Sequence, residues 1–283
     1  MNFKDKHAMI KTSLFIATPD MPDVDYVHLY KGEIEENIRK SAAAGFDAVE
    51  LITPDPDTFD WDRFDKALKQ FRMELACINS GRLKSQYGVT LIHADPKIRE
   101  KAVEKFKSII RAASRFGCYA NIGIFRGPAI DGKPVAYTRD MFREILQGLC
   151  DYAAQFKVGI NFEPTNRYEI NFINSTNDGL DIINRVNRPN LGLLLDLYHM
   201  YLEDDDMISK IIYCRNIVKH FHFTDSDRWP AGNSHGVVDF PQLIGMLKLI
   251  GYNGYLSQNL VKSEDADICA KRTATYLREL INS

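Results

Sequence analysis

The sequence predicts a single (β/α)8 barrel, and three observations carry the prediction. Eight short runs rich in Ile, Val, Leu and Phe recur along the 283 residues, with little polar alternation inside them. That is the pattern of strands covered on both faces in a parallel sheet. Each run is followed by a stretch that fits an amphipathic helix, and no Pro/Ser linker, low-complexity tract or shift of composition divides the chain. Eight such units fit the length of one barrel. A doubly wound sheet is the competing arrangement, but no GxGxxG follows the first run to support it.

Residues 1–9 are charged, lack the apolar core of a secretory signal, and read as a flexible or tag-like lead into the first run, Ile10–Ala17. Ile34, Ile38 and Ala42 stand at helical spacing and are closed by Gly45, which predicts a helix before run two, Phe46–Leu51. Run three is Met73–Ile78. Asp95 followed by Pro96 marks a helix start, an acceptor at the cap and a proline whose missing N–H costs nothing in the first turn. Ile98, Ala102, Phe106, Ile109 and Ala113 give that helix its apolar face, and Gly117 ends it. After run four, Tyr119–Phe125, Thr138 opens a helix with Met141, Ile145, Leu149, Tyr152 and Phe156 on one face. Runs five to eight are Val158–Phe162, Leu191–Leu195, Ile217–Phe223 and Gly254–Leu260.

Composition narrows the function. The chain is 45% hydrophobic and 26% charged, ordinary for a globular protein. Lys plus Arg number 36 against 38 Asp plus Glu, a net charge of -2 that disfavours a nucleic-acid partner. No apolar stretch approaches the roughly 18 residues of a membrane-spanning helix. The five cysteines (Cys77, Cys118, Cys150, Cys214, Cys269) are scattered, odd in number and free of CxxC pairs, as in a reduced cytoplasmic protein. The expectation is a soluble cytoplasmic protein acting on a small molecule.

In a barrel of this kind the site lies at the carboxyl ends of the strands. Run five ends in Glu163, run six in Asp196, run seven contains His222, and run eight ends near Asn259. Four neighbouring strands thus aim two carboxylates, an imidazole and an amide at one mouth. Hard oxygen donors with one imidazole suit a single divalent ion: Mn²⁺, Mg²⁺, Co²⁺ or Zn²⁺. Singly, each residue has a plainer reading. Glu163 could pair with Arg167 or Arg228, Asp196 could cap the following helix, and His222 could be a core histidine. Together, with four of the seven histidines (His199, His220, His222, His235) in one short stretch, they read as a metal site.

The segments FEPTNRYE, LLLDLYHM and HFHFTDSDRWPAGNSHGVVDF, with IGIFRGP and HADPKIRE upstream, resemble the sugar isomerase/epimerase superfamily with the xylose-isomerase-like barrel. The ketose 3-epimerase (tagatose and psicose epimerase) type is the most similar group. The resemblance implies an isomerase or epimerase of a sugar or sugar phosphate that moves a proton at the carbon next to a carbonyl. It implies that Glu163 binds metal and exchanges that proton, that Asp196 and His222 are further metal ligands, and that His199 and Arg228 hold substrate hydroxyls. Glu169 resembles the carboxylate that holds the sugar's terminal hydroxyls. Glu50, at the end of run two, is a further carboxylate for the mouth, with a bridge to a neighbouring Lys or Arg as the alternative. Arg126 offers a cation for a phosphate or carboxylate, or for Glu163 itself. Trp229 and Tyr168 are candidate aromatic walls. A homodimer or homotetramer is the assembly implied.

One position departs from the family pattern. Where the family has a glutamate as fourth ligand and second base, GYNGYLSQN places Asn259, whose amide oxygen can bind a hard cation but cannot take a proton at neutral pH. Two-base epimerisation therefore lacks a partner for Glu163, and Glu264 lies past the strand end. Two other readings stand beside the isomerase: a lyase on the same barrel, such as a keto-inositol dehydratase, and a sugar-binding barrel with an impaired metal site. Apurinic endonucleases share the fold, but they need a larger His/Asp/Glu cluster and a cationic face.

Overall fold

The computed structural model describes residues 10–21, 29–52, 55–259 and 265–283. Its nine strands run in parallel in one sheet: β1 (Lys11–Ala17), β2 (Tyr30–Lys31), β3 (Ala48–Ile52), β4 (Glu74–Asn79), β5 (Tyr119–Ile122), β6 (Ile160–Phe162), β7 (Leu191–Asp196), β8 (Val218–His222) and β9 (Tyr255–Gln258). Pairing of β1 with β9, Lys11 to Leu14 against Tyr255 to Gln258, closes the ring. The eight barrel strands are β1 and β3 to β9; β2 only extends the end of β1, with Ile16 beside Tyr30. Two residues are too few to show as an apolar run, so β2 leaves no sign in the pattern of apolar runs.

Eight longer helices coat the ring: α1 (Ile34–Ala44), α2 (Trp61–Phe71), α4 (Pro96–Phe116), α5 (Val135–Gln155), α6 (Thr176–Val186), α8 (Met207–Cys214), α9 (Phe240–Leu249) and α10 (Ala266–Asn282). Two short ones, α3 (Gly81–Tyr87) and α7 (Leu197–Glu203), follow β4 and β7 directly at the mouth. The expected cap at Asp95 is present, its carboxylate accepting from Lys97 N at 2.8 Å, and Gly117 closes α4 in the left-handed conformation. Ala102, Phe106, Ile109 and Ala113 are buried as expected. The fully buried phenylalanines Phe64, Phe106, Phe142, Phe162 and Phe221 belong to the continuous core. Each contributes about 1.5–3 kcal/mol by leaving water.

Two expectations need correction. Helix α5 begins at Val135 rather than Thr138, because Pro134 stands at its cap with the fixed φ that nucleates the first turn. Its buried face is Thr138, Phe142, Leu146, Leu149 and Ala153; Met141, Ile145 and Tyr152 are only partly buried, and Phe156 is exposed. The apolar stripe is wide enough to admit either rotation, and Phe142 packing on Phe162 selects this one. Run four stops as a strand at Ile122, and Ile124–Arg126 form a 3₁₀ turn. Gly123 stands at the break, where a Cβ would collide with the Glu163 carboxylate. The expected lead 1–9, Leu260 of run eight and Glu264 lie outside the described residues.

Candidate active site

Glu163 directly follows β6, Asp196 ends β7, His222 ends β8 and Asn259 directly follows β9. Their polar atoms converge. His222 Nδ1 lies 2.8 Å from Glu163 Oε1 and 3.5 Å from Asp196 Oδ2. Asn259 Nδ2 donates to Asp196 Oδ2 at 2.8 Å and stands 3.5 Å from His222 Nδ1. Asn259 Oδ1 accepts from the Thr224 hydroxyl at 3.3 Å. A half-turn of this amide would present its oxygen to the cluster instead, and a hydroxyl can serve either end. All four side chains are buried.

The far nitrogen of His222 is held from beneath. Its Nε2 faces Glu50 Oε1 at 3.2 Å, while Glu50 Oε2 takes His220 Nε2 at 2.8 Å and the Ser257 hydroxyl at 2.7 Å. A proton on Nε2 leaves the Nδ1 lone pair for whatever cation sits among Glu163 and Asp196. Register shifts at Val49/Glu50 and Leu193/Leu194 set Glu50 beside Cys77 and His220 beside Leu194. Such irregularities re-aim side chains next to a site.

Charge balance follows from this packing. Burial alone would raise the carboxyl of Glu50, yet His222 and His220 outweigh it and hold it well below the usual carboxylate range. Burial opposes ionisation of Glu163 and Asp196 in the same way; His222 lowers the first and His199 with His222 the second. Burial likewise opposes the charge on His222, but Glu163 and Glu50 raise its imidazole well above the ordinary value of 6.5.

His199 is set up differently from His222. Asn166 is oriented by Tyr168 N–H, which donates to its Oδ1 at 3.0 Å, so its Nδ2 faces His199 Nδ1 at 2.8 Å. An amide N–H only donates, so His199 Nδ1 accepts and Nε2 carries the proton, 3.7 Å from Asp196 Oδ2. His199 is therefore a donor toward the cavity. Among the described residues, two groups have ligand atoms close enough for a metal: Glu50, His220 and His222, and Glu163, Asp196 and His199. The first already has its carboxylate occupied by imidazole and serine donors and lies below the cavity. With His199 a donor, the second is completed by His222.

The cluster opens into a cavity of about 680 Å³, whose lining includes Phe15, Glu163, Tyr198, His199, His222 and Asn259. Glu169 and Arg228 line it as an ion pair of 2.8 Å, with the Arg228 guanidinium 4.5 Å over the Tyr198 ring. Arg228 sits in the left-handed region at φ 64°, a conformation uncommon outside glycine. Buried Asp225 holds its loop by accepting from Ser226 N, Val238 N and the Ser234 hydroxyl.

Three sequence expectations change. Glu50 is fully buried beneath the mouth and positions His222; it does not line the cavity, and its partners are histidines rather than Lys or Arg. Arg126 is also buried away from the cavity. Its guanidinium donates to the carbonyls of Phe172, Gly123, Glu163 and Ile173, and it lies in the 3₁₀ turn after the strand has ended at Ile122. It touches the backbone of Glu163, not its carboxylate. Tyr168 is 80% exposed, and neither it nor Trp229 lines the cavity; Phe15 and Tyr198 supply the aromatic wall. Arg167 pairs with Glu203 and Arg228 with Glu169, so neither neutralises Glu163.

Further groups at the site are Asn121, which donates to Glu163 Oε2 at 3.0 Å, and Asn166, Asn79 and Arg82, none of which is among the site residues expected from sequence. Asn79 ends β4 and Arg82 follows three residues later, so the same strand-end rule, applied to run three, would have found both.

A profile of the xylose isomerase-like TIM-barrel family matches residues 38–280, and the chain belongs to that family. An L-ribulose 3-epimerase of Methylomonas sp. (strain DH-1) is 30% identical over 250 residues, 86% of this chain and 84% of that protein. A ketose 3-epimerase of Arthrobacter globiformis is 27% identical over 223 residues, 78% and 75% of the two chains. In fold, a D-allulose 3-epimerase crystal structure from Methylomonas sp. is similar with a TM-score of 0.76, 23% identity and coverage of 96% and 99%. The chain is an enzyme of the isomerase/epimerase class. Among the described residues no helix is long and apolar enough to cross a membrane.

Proposed function

We propose that this protein is a divalent-metal-dependent isomerase or epimerase of a sugar, and that it moves a proton at the carbon next to a carbonyl. The observation that carries the reading is the convergence of Glu163, Asp196 and His222 within 3.5 Å of His222 Nδ1, with Asn259 completing the ring of donors. Two carboxylates, an imidazole and an amide fit a hard divalent ion, Mn²⁺, Mg²⁺, Co²⁺ or Zn²⁺. When bound, such an ion supplies positive charge for the oxygen that turns anionic as the proton leaves.

The chain's own groups account for the rest. Glu163 is the base: it lines the cavity, and the lowered pKa keeps it ionised at neutral pH. Asn121 fixes its second oxygen. His199 presents its Nε2 proton to a substrate oxygen, and Arg228 and Glu169 are placed to take hydroxyls farther along the sugar. Phe15 and Tyr198 face its apolar edge. With an amide at 259, a single base works on one face of the substrate. Return of the proton to the neighbouring carbon is isomerisation; epimerisation calls on a further group. The names of the relatives, L-ribulose and ketose 3-epimerases, support a ketose-type substrate. Five free and buried cysteines fit a reducing cytoplasm.

The test is proton exchange. Ketoses incubated with the Mn²⁺-loaded protein in deuterated water are expected to lose the proton next to the carbonyl, followed by NMR, and Glu163→Gln is expected to slow this by at least a thousandfold. Exchange that survives in Glu163→Gln removes the assigned base. No metal bound at millimolar concentration would favour instead a sugar-binding barrel whose site Asn259 has weakened.

A further inference from the structure

Among the described residues, Arg82 is a cation without a counter-charge at the mouth of the barrel. It lies on α3, just after β4, which is the third strand of the ring and stands across the barrel from β8 and His222, the seventh. It lines the cavity yet is only 4% exposed, and its Nε and Nη2 are shut off from solvent with no hydrogen-bond partner. No carboxylate among the described residues comes within ion-pair distance; Asp20 acts on it only from farther away. The other charges of the cavity are engaged. Glu169 pairs with Arg228, and Asp227 accepts the backbone N–H groups of Trp229 and His235.

A guanidinium keeps its proton, so Arg82 remains a buried charge in want of a counter-charge. Nε and Nη2 form the side of the guanidinium that binds two oxygens of one anion in parallel, the arrangement that makes arginine selective for phosphate and carboxylate. A neutral hydroxyl satisfies neither the charge nor the pair of donors. Resting on the reading of this cavity as a sugar site, we infer that the substrate carries an anionic group, a phosphate monoester or a carboxylate, at the end remote from the reacting carbon, and that Arg82 receives it. To receive it, the side chain would rotate about its last torsions so that Nε and Nη2 face the cavity it lines. The metal cluster and Arg82, on opposite sides of the ring, then hold the two ends of one extended molecule, with Arg228 and Glu169 between.

Calorimetry on the Mn²⁺-loaded protein tests this with matched 2-ketoses: D-ribulose, D-xylulose, D-fructose and D-tagatose, each free, phosphorylated at the terminal carbon, or, for the hexuloses, as the terminal carboxylate. At least one anionic form is expected to bind thirtyfold or more tightly than its free partner, and whether phosphate or carboxylate does so identifies the source of the charge. Arg82→Met is expected to remove most of that ratio. Arg82→Lys keeps the charge but loses the paired donors, is expected to lower the ratio about tenfold, and decides the matter if Arg82→Met does not fold. The inference is overturned if no anionic form outbinds its free partner, or if both variants weaken free and anionic ketoses alike. Deuterium exchange on the same ligands separates this from the proposed reaction. Preference without exchange overturns the reaction and leaves Arg82 its role, whereas exchange without preference does the reverse.

Discussion

At the scale of single residues, position 259 decides most. Asn259 donates to Asp196 and accepts from Thr224, so in the absence of a cation it offsets negative charge with an N–H. A carboxylate there would stand against Asp196 and Glu163, and like charges in a buried site repel. Asn259→Glu is therefore expected to lower the melting temperature of the metal-free protein and, at the same time, to tighten Mn²⁺ binding at least tenfold, about 1.4 kcal/mol. Calorimetry and thermal unfolding with and without chelator read the two effects separately. Unchanged affinity would show that residue 259 does not face the ion. The strand-end carboxylates, His222 and Asn259 could be read from sequence because a parallel barrel turns the last residue of each strand toward one mouth. Glu50 was readable as a carboxylate near a strand end but not as a buried partner of two histidines 170 and 172 residues away, since that contact depends on a register shift. Asn166 had no signal at all, because an amide fixing a tautomer leaves no spacing in the chain.

At the scale of elements, the eight strands and the capped helices were legible because propensity, periodicity and caps agree there. The errors fall where an element is cut short by tertiary contact. Glu163's carboxylate occupies the space where a Cβ at 123 would be, β5 ends at Ile122 just before it, and Arg126 lies away from the cavity. There it joins the 3₁₀ turn Ile124–Arg126 to the segment between β6 and α6 through four backbone carbonyls and the Thr165 hydroxyl. Arg126→Met keeps much of the volume and strands those acceptors away from water. It is expected to destabilise the protein by about 3–5 kcal/mol in urea unfolding. A loss below about 1 kcal/mol would mean that water reaches these carbonyls.

At the scale of the whole molecule, the barrel gathers titratable groups from four strands around His222: Glu50 on β3, Glu163 after β6, Asp196 at the end of β7 with His199 just beyond it, and His220 on its own strand. The sign of the resulting pH dependence follows from the shifts. His222 has a folded pKa raised above 6.5, so its contribution to stability is full below that value and is lost as pH rises through the folded pKa. Glu50, Glu163 and Asp196 have folded pKa values below their ordinary 4.5, 4.5 and 3.8, so theirs is present above that range and is lost as pH falls through the folded values. Without metal, stability should be greatest from weakly acidic to neutral pH and decline on the alkaline side. A divalent ion bound at the proposed site would take the place of the proton on His222 Nδ1, so its affinity should increase with pH and the alkaline decline should vanish. Melting temperatures measured across pH 5–10 with chelator and with Mn²⁺ should diverge steadily above neutrality, with Mn²⁺ the higher. Parallel curves would separate His222 from the ion and leave it, with Glu50, as part of the barrel's buried charge network alone.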